Sequence, residues 1–139
     1  MKFSKEHIAT ARAFRISPDD TNYFAILFDP EKDGISNIYV IEIFSPGGAT
    51  PVNKHDEATE FFYILSGEGR ARSGTAELKL KQGDALLLHP GTDHAIYNTG
   101  DKKLYCLTVM TPNEGFAELI RKGMPVELDE DDLTILTGG

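Results

Sequence analysis

The first of two chemically notable stretches places His55 five residues before Glu60. Glu60 opens the apolar run 61–65, which is typical of a strand, and a charge there is costly unless it has a partner. Residues five apart on a regular strand face opposite sides, so residues 56–58 must turn or bulge if the two side chains are to meet. An imidazole and a carboxylate that converge on one point indicate a metal site.

The second stretch places His94 at the start of a predicted strand, 94–98, directly after a tight turn. A side chain presented at such a junction is held by a rigid scaffold. Ile96 shares the face of His94, and so does Asn98, which lies about 13 Å farther along at about 3.3 Å per residue. We therefore expect Asn98 to cap a turn. His89, within the turn, is expected to be solvated; the alternative is that it points inward and supplies a further nitrogen ligand.

The bulk composition narrows the class of protein. The chain has 139 residues, 40% of them hydrophobic, which suits one domain with a core of ordinary size. Its formal net charge of -8 argues against nucleic acid and anionic membranes as partners, because both require a basic surface. The lone cysteine, Cys106, excludes an intramolecular disulfide framework and fits a reducing compartment. The N-terminal residues show no apolar signal region, so we expect a cytoplasmic protein.

Short apolar segments punctuated by Gly, Pro, Asn and Asp recur along the chain and predict about eight or nine strands. Such spacing is typical of an all-β sandwich or barrel. The predicted strands are 23–28, 38–44, 61–65, 70–72, 76–80, 85–88, 94–98 and 104–110. Residues 112–123 form the best helix candidate, with Asn113 or Thr111 as its cap. The apolar side of this helix, which includes Phe116 and Leu119, is expected to cover one end of the barrel.

The two stretches resemble the paired motifs of the cupin superfamily. The first cupin motif is Gly, five residues, His, one residue, His, three or four residues, Glu, six residues, Gly; here it falls on Gly47, Asn53, His55, Glu60 and Gly67. The second is Gly, five residues, Pro, one residue, Gly, two residues, His, three residues, Asn; here it falls on Gly83, His89, Gly91, His94 and Asn98. Asn53 thus replaces the first histidine, and His89 replaces the proline. The resemblance extends from about Ile38 to Met110.

This resemblance implies a double-stranded β-helix, a jelly-roll barrel whose metal ligands point into the lumen. On that basis residues 1–139 form a single domain with its barrel core at about 23–110. The N-terminal arm, 1–22, would contain a short helix or an extended segment, and a helix and acidic tail would occupy 111–139. Cupins are commonly homodimers that pair sheets or exchange N-terminal strands, so residues 1–28 are the expected dimer-forming segment.

The resemblance also implies a metal site. Cupins typically hold a divalent metal with three histidines and one glutamate. The ligand positions of the two motifs correspond here to His55, Glu60 and His94. Two histidines and one carboxylate leave open coordination positions, as in the non-haem Fe(II) oxygenases. Asn53 would offer its amide oxygen as a weaker ligand, or hydrogen-bond a metal-bound water or the substrate. The expected metal is Fe, Mn, Ni or Zn; the alternative is a metal-free cluster in which Glu60 and the histidines bond only to one another.

Residues that alternate with the candidate ligands are expected to line the pocket and contact the substrate. Phe62 and Ile64 lie two and four residues after Glu60, so their side chains should point to the same face of the strand. Ile96 lies two residues after His94 and should point to the same face of its strand. The same apolar side chains would fill an ordinary core, and both roles are compatible.

Two arginines supply a possible anion clamp. If strand alternation continued through the glycine turn at 67–69, Arg70 and Arg72 would both face the lumen and could hold a substrate carboxylate. Glycine turns often reset the parity, in which case both arginines lie on a solvated face.

The leading hypothesis from these residues is a small metal-dependent cupin enzyme that acts on a small organic substrate bound in the barrel. Glu60 and Asn53 are the candidate catalytic residues, and Glu60 would also neutralise part of the metal charge. Dioxygenase-type chemistry and isomerase or lyase chemistry both fit such a site. The alternative, from a different class, is a non-catalytic barrel that binds a small ligand or serves a structural role. A sugar-related role ranks lower, because no phosphate cradle is evident.

Overall fold

The computed structural model describes residues 2–51 and 53–139, and strands dominate it. The strands are β1 (Ala13–Arg15), β2 (Asn22–Phe28), β3 (Ile38–Phe44), β4 (Thr59–Ser66), β5 (Glu68–Ser73), β6 (Ala76–Lys81), β7 (Ala85–Leu88), β8 (His94–Asn98), β9 (Leu104–Thr111) and β10 (Met124–Val126). The helices are short: α1 (Pro30–Asp33), α2 (Phe116–Arg121) and α3 (Glu130–Thr137).

The strands form two antiparallel sheets. The larger sheet has the order β10-β1-β2-β3-β9-β4-β7, and the smaller has the order β6-β5-β8. Neighbours such as β3 and β9, or β4 and β9, are far apart in the chain, so the sheets are built by long-range crossovers typical of a jelly roll. The prediction of an all-β jelly roll with a short C-terminal helix is confirmed.

The core lies between the two sheets because alternate residues of each strand point inward. One buried cluster draws on both sheets, with Phe44, Phe62 and Ile64 from the larger one and Ala71 and Ile96 from the smaller one. A second cluster closes the end of the barrel nearest α2 and includes residues of β1, β2 and β3. Asn98 ends β8 as a turn cap, donating its amide to three backbone carbonyls and accepting from Gly100 N at 3.0 Å.

A third apolar cluster lies on the outer face of the larger sheet, where the chain termini cover it. Tyr23, Ile43 and Tyr105 belong to it, and Ile8 and Leu136 pack against them. This face is therefore closed by the protein's own N-terminal segment and by α3. Within the part of the chain that the structure describes, no helix combines the length and apolar character needed to cross a membrane.

Several elements differ from the sequence-based expectation. The N-terminal arm contains β1, which pairs with β2 and β10, and the acidic tail contains β10 and α3. Helix α2 begins at Phe116, later than predicted. Gly115 has a left-handed conformation with φ of 82°, and Asn113 Oδ1 accepts the Ala117 amide at 2.7 Å. Asn113 thus caps the helix from outside its first turn, which delays the helix start.

Candidate metal centre

The three candidate ligands come from separate elements that meet inside the barrel. Glu60 is the second residue of β4, His94 is the first residue of β8, and His55 lies in the loop before β4. Backbone hydrogen bonds between Asn53 and His94, at 3.2 and 2.9 Å, hold this loop against β8. Gly91 N also donates to His55 O at 2.8 Å. The loop 53–58 therefore bends as the spacing of His55 and Glu60 requires.

The side chains converge closely. His94 Nε2 lies 3.1 Å from Glu60 Oε1, and His55 Nε2 lies 3.5 Å from the same oxygen. One potential ligand atom from each of the three residues falls within 4.8 Å of the others. The Glu60 and His94 side chains are only 8% and 4% exposed, whereas His55 is 20% exposed at the mouth of the site. Two nitrogens and one oxygen at this spacing match the donor types and separations of a divalent transition-metal site.

The electrostatics of the cluster favour a charged carboxylate. Burial acts to raise the pKa of Glu60, but its interactions with His55 and His94 outweigh burial and hold the pKa below its usual value. The interaction with Glu60 raises the pKa of His55, against the opposing effect of burial. The raised pKa favours a proton on His55 beside the Glu60 carboxylate. A metal ion would replace that proton, because only neutral imidazole coordinates.

Asn53 places a buried amide oxygen in the lining of the site. Its amide nitrogen donates to Pro51 O at 2.8 Å. Its Oδ1 is buried and has no hydrogen-bond partner among the described residues. An unsatisfied buried polar atom costs about 1–3 kcal/mol, so such atoms need an explanation. An oxygen beside two imidazoles and a carboxylate fits a metal ion, or a water or ligand held by that ion.

Glu114 is a contributor that the sequence analysis did not identify as part of the site. Its Oε2 lies 3.4 Å from His55 Nδ1, on the side of the ring away from Glu60. Its Oε1 accepts the backbone amides of Glu57 and Ala58 at 2.8 and 3.1 Å, and these bonds, the Glu57 bond above all, lower the pKa of Glu114. A carboxylate on the outer nitrogen of a metal-ligating histidine orients the ring and increases its basicity. The sequence analysis placed Glu114 in the N-terminal half of the predicted helix 112–123, whereas it precedes the observed helix α2.

The cluster opens into a cavity of about 350 Å³ between the sheets and α2. Its apolar wall includes Phe24, Phe62, Ile96, Phe116 and Leu119. Its polar lining includes the three candidate ligands together with Asn22, Glu42 and Asn53. Phe116 meets Phe24 edge-to-face, with the ring centroids 5.4 Å apart, so α2 covers this end of the barrel as its apolar side predicted.

The predicted substrate-contacting residues divide into two groups. Phe62 and Ile96 line the cavity, whereas Ile64 is fully buried in the cluster between the sheets. Arg70 is exposed on the outer face of β5, where its guanidinium stacks 5.1 Å from the Tyr97 ring. Gly69 and Ala71 take the inward positions of that strand, so the lumen position predicted for Arg70 is wrong.

Arg72 and His89, the other candidates from the sequence, also lie outside the cluster of His55, Glu60 and His94. Arg72 bonds to Gly74 O at 3.3 Å at the end of the hairpin. His89 is exposed in its turn, as expected for a solvated histidine, and is not among the residues that converge. The register of β4 against β9 shifts between Ile64 and Ser66, so that Ser66 pairs with Tyr105 of the outer cluster. The alternation is therefore reversed before β5 begins, which explains why the arginines face outward.

Comparison with known proteins indicates the cupin family, as the paired motifs do. The model of the Cupin domain matches residues 40–110, just over half of the chain. The oxalate-binding protein of Thermotoga maritima is 35% identical over 65 residues, which are 47% of this chain and 54% of that protein. An uncharacterised protein of Methanocaldococcus jannaschii is 30% identical over 79 residues, 57% of this chain and 63% of that protein. The chain thus matches between about half and two thirds of the length of these curated relatives.

A solved structure extends the similarity to most of the barrel. The crystal structure described as a predicted oxalate decarboxylase from Thermotoga maritima superposes with a TM-score of 0.68 at 26% identity. The match covers 75% of this chain and 95% of that one. With the fold, the paired motifs and the family match in agreement, the chain belongs to the cupin family.

Proposed function

We propose that this protein is a metal-dependent enzyme that acts on a small organic molecule bound inside the barrel. The observation that carries the proposal is the convergence of His55, Glu60 and His94 at the wall of a largely apolar cavity. Asn53 Oδ1, buried and without a partner in the described parts of the chain, supports it, because a metal-bound ligand would satisfy this oxygen.

His55, Glu60 and His94 would hold the ion, which supplies a Lewis acid and a template for substrate donor atoms when bound. Glu60 contributes one negative charge and is kept ionised by the two imidazoles. Glu114 holds Nδ1 of His55, so that Nε2 is presented toward Glu60. Asn53 offers a neutral oxygen that can orient a hydroxyl or water hydrogen without adding charge.

The cavity wall supports chemistry that depends on excluded water. Phe24, Phe62 and Phe116 surround the polar cluster with hydrocarbon, and α2 covers the open end of the barrel. Electrostatic interactions are stronger in such a low-dielectric site than in water. The two-histidine, one-carboxylate set favours a dioxygenase-type reaction, with isomerase or lyase chemistry as the next class.

A second candidate function is a non-catalytic barrel that binds a small ligand. A specific observation favours it: the relative with 35% identity is named an oxalate-binding protein. Asn53 also stands where cupins typically have a histidine, and loss of a ligand lowers metal affinity.

Metal analysis followed by turnover assays distinguishes the two candidates. Protein purified without chelator should contain about one equivalent of divalent metal per chain, because the triad provides one site. Oxygen consumption should then appear on reconstitution with Fe(II) and screening of catechols, β-diketones and thiols. Bound metal with no oxygen consumption would redirect the proposal to isomerase or lyase chemistry, tested by substrate deuterium exchange. No bound metal, and no thermal stabilisation by added Fe, Mn, Ni or Zn, would refute the enzyme proposal in favour of the binding barrel.

A further inference from the structure

Glu42 is a second carboxyl group in the wall of the cavity. It lies in the middle of β3, is 1% exposed and belongs to the same cavity lining as Glu60. Asn22 Nδ2 donates to its Oε2 at 2.8 Å, and the Thr108 hydroxyl donates to its Oε1 at 3.3 Å. Two carboxyl oxygens offer about four acceptor sites, so these bonds leave hydrogen-bonding capacity free. Glu42 therefore has a fixed position and unused capacity facing the cavity.

Glu42 has no cationic partner in the part of the chain that the structure describes. Among residues 2–51 and 53–139, no lysine, arginine or histidine nitrogen lies within 4.0 Å of the Glu42 carboxyl. Other buried acids of this chain are paired: Asp29 with Arg121 at 2.8 Å, and Asp132 with Lys103 at 3.0 Å. Burial, together with the charge of Glu60, raises the pKa of Glu42 to about 8. The raised pKa favours the protonated carboxyl, which has an O–H to donate as well as oxygens that accept.

The rest of the cavity lining sets the charge and size of a ligand. The described lining residues include the acids Asp20, Glu42 and Glu60, and no lysine or arginine. With the histidines neutral as metal ligands, a ligand with two negative charges would find no lysine or arginine in this described lining to offset the second charge. The volume of about 350 Å³ corresponds to roughly a dozen water molecules at about 30 Å³ each. A ligand that fills this space is larger than oxalate, and its body contacts hydrocarbon.

We propose that Glu42 contacts the ligand directly through a hydroxyl group of the ligand, and that this ligand has an apolar body and at most one negative charge. The inference rests on the proposed function, because it places the metal-binding end of the same molecule at His55, Glu60 and His94. Asn22 and Thr108 act as positioning residues that hold the carboxyl in place. A dicarboxylate such as oxalate is disfavoured in this cavity.

Calorimetric titration of Mn(II)-loaded protein tests the ligand class with defined probes. Mandelate has a chelating hydroxy acid, an apolar ring and one charge. The probes 3- and 4-hydroxymandelate add a ring hydroxyl, whereas phenylmalonate has a second carboxylate in place of the α-hydroxyl and chelates through its two carboxylates. A hydrogen bond contributes about 0.5–1.5 kcal/mol, so the better hydroxymandelate should bind about two- to tenfold more tightly than mandelate. Phenylmalonate and oxalate should bind more weakly than mandelate. Tighter dianion binding, no hydroxyl preference, or no binding of any probe would overturn the inference.

Substitution of Glu42 assigns the preference to this residue. Glu42→Met keeps a similar length but cannot hydrogen-bond in this way, and it should reduce the hydroxyl preference to about one. Glu42→Gln keeps a donor and an acceptor and should retain the preference. Glu77→Gln, on the exposed strand β6, is the matched control and should change nothing. A preference that persists in Glu42→Met would overturn the role of Glu42.

Metal stoichiometry separates this inference from the proposed function. All variants should bind Mn(II) as the unaltered protein does, since Glu42 is not among the converging ligand residues. If the unaltered protein binds no Mn(II), the proposed function fails. If Mn(II) binds and the probe ranking is reversed, only the ligand assignment fails.

Discussion

The larger sheet carries a buried acidic cluster on each of its two faces. On the outer face, Asp132 of α3 accepts the hydroxyls of Tyr23 and Tyr105 at 2.8 and 2.7 Å and the ammonium of Lys103 at 3.0 Å. Asp132 also completes the capping box of α3: Asp129 N donates to its Oδ2 at 3.1 Å, and Asp132 N donates to Asp129 Oδ1 at 2.8 Å. On the inner face, Glu60 meets two histidines, and Asn53 Oδ1 and His94 Nδ1 have no partner within the described residues.

The difference separates a structural cluster from a site that binds something else. Both oxygens of Asp132 have two protein partners each, and the cluster holds α3 on the sheet. Burial, with Asp132 as a neighbour, raises the pKa of Tyr23 to about 12, so this phenol stays neutral and donates. Polar groups that are buried and complete stabilise a fold, whereas groups that are buried and incomplete await a ligand. The comparison predicts that changes on the two faces will affect different properties.

The largest expected effect is the loss of metal from His94→Ala. Removal of one of three ligands should lower metal affinity by more than about 100-fold, since even outer-shell changes cost about 10–100-fold. Folding of the metal-free protein should persist, because the apolar core is untouched. Metal content by elemental analysis and unfolding in urea with chelator provide the two measurements. His89→Ala, in the exposed turn, is the control and should retain metal. Stoichiometric metal in His94→Ala would exclude His94 as a ligand.

The outer cluster should respond in the opposite way. Asp132→Ala leaves two buried phenols and a lysine without their shared acceptor, and breaking a buried pair of this kind costs about 3–5 kcal/mol. The urea midpoint should fall accordingly, while the folded fraction binds metal with unchanged affinity. Asp131→Ala, one residue earlier and exposed, should lose far less stability. A stable Asp132→Ala protein with impaired metal binding would contradict the division between the two faces.

Local sequence patterns were sufficient for strands β2 to β9 and for the residues that alternate along them, but not for the short strands β1 and β10. Glu60, Phe62 and Ile64 all point inward on β4 because alternation holds within one strand. Arg70 could not be placed in this way, because the register irregularity between Ile64 and Ser66 reverses the alternation before β5 begins. Alternation therefore predicts a side chain's face along a regular stretch of strand and not across a bulge.

Groups that depend on long-range contacts were not recovered from the sequence. Glu42 lies within an otherwise apolar strand, and only the packing of β3 against β2 and β9 shows that it meets Asn22 and Thr108. Glu114 is 59 positions beyond His55, and no local pattern links the two. Helix α3 begins with a capping box at Asp129, but its acidic composition obscured the helix and its docking on the sheet.

Glu114→Gln should have a smaller effect that is confined to the inner site. Glutamine can still accept the Glu57 and Ala58 amides, but it lacks the negative charge beside His55 Nδ1. Metal affinity should fall by about 10–100-fold, as for other carboxylates that orient a ligating histidine. Competition titration with a chelating dye measures this change, and Glu57→Gln, exposed nearby, is the control. An affinity within about twofold of the unaltered protein would remove Glu114 from the site.

The smallest expected effect concerns Glu42 on the inner face. Glu42 has no cationic partner among the described residues, whereas Asp132 on the outer face is paired with Lys103. Its folded-state pKa of about 8 exceeds the ordinary value of 4.5, so between these values the folded chain holds a proton that the unfolded chain has released. The stabilisation from this proton is complete below the lower value and is lost as pH rises toward the upper one. Between about pH 6 and about pH 7, the unaltered protein should lose about 1.4 kcal/mol relative to Glu42→Gln.

Comparison with Glu42→Gln isolates this loss, because His55 has a raised pKa in both proteins and its contribution cancels. Urea unfolding in the presence of chelator at the two pH values measures the difference, and chelation keeps metal from changing the charge of the cavity. Parallel pH dependence in the two proteins would mean that Glu42 is ionised when folded. The cavity would then contain the carboxylate charges of both Glu42 and Glu60, and the positive charge that offsets them would have to come from the metal ion or from the ligand.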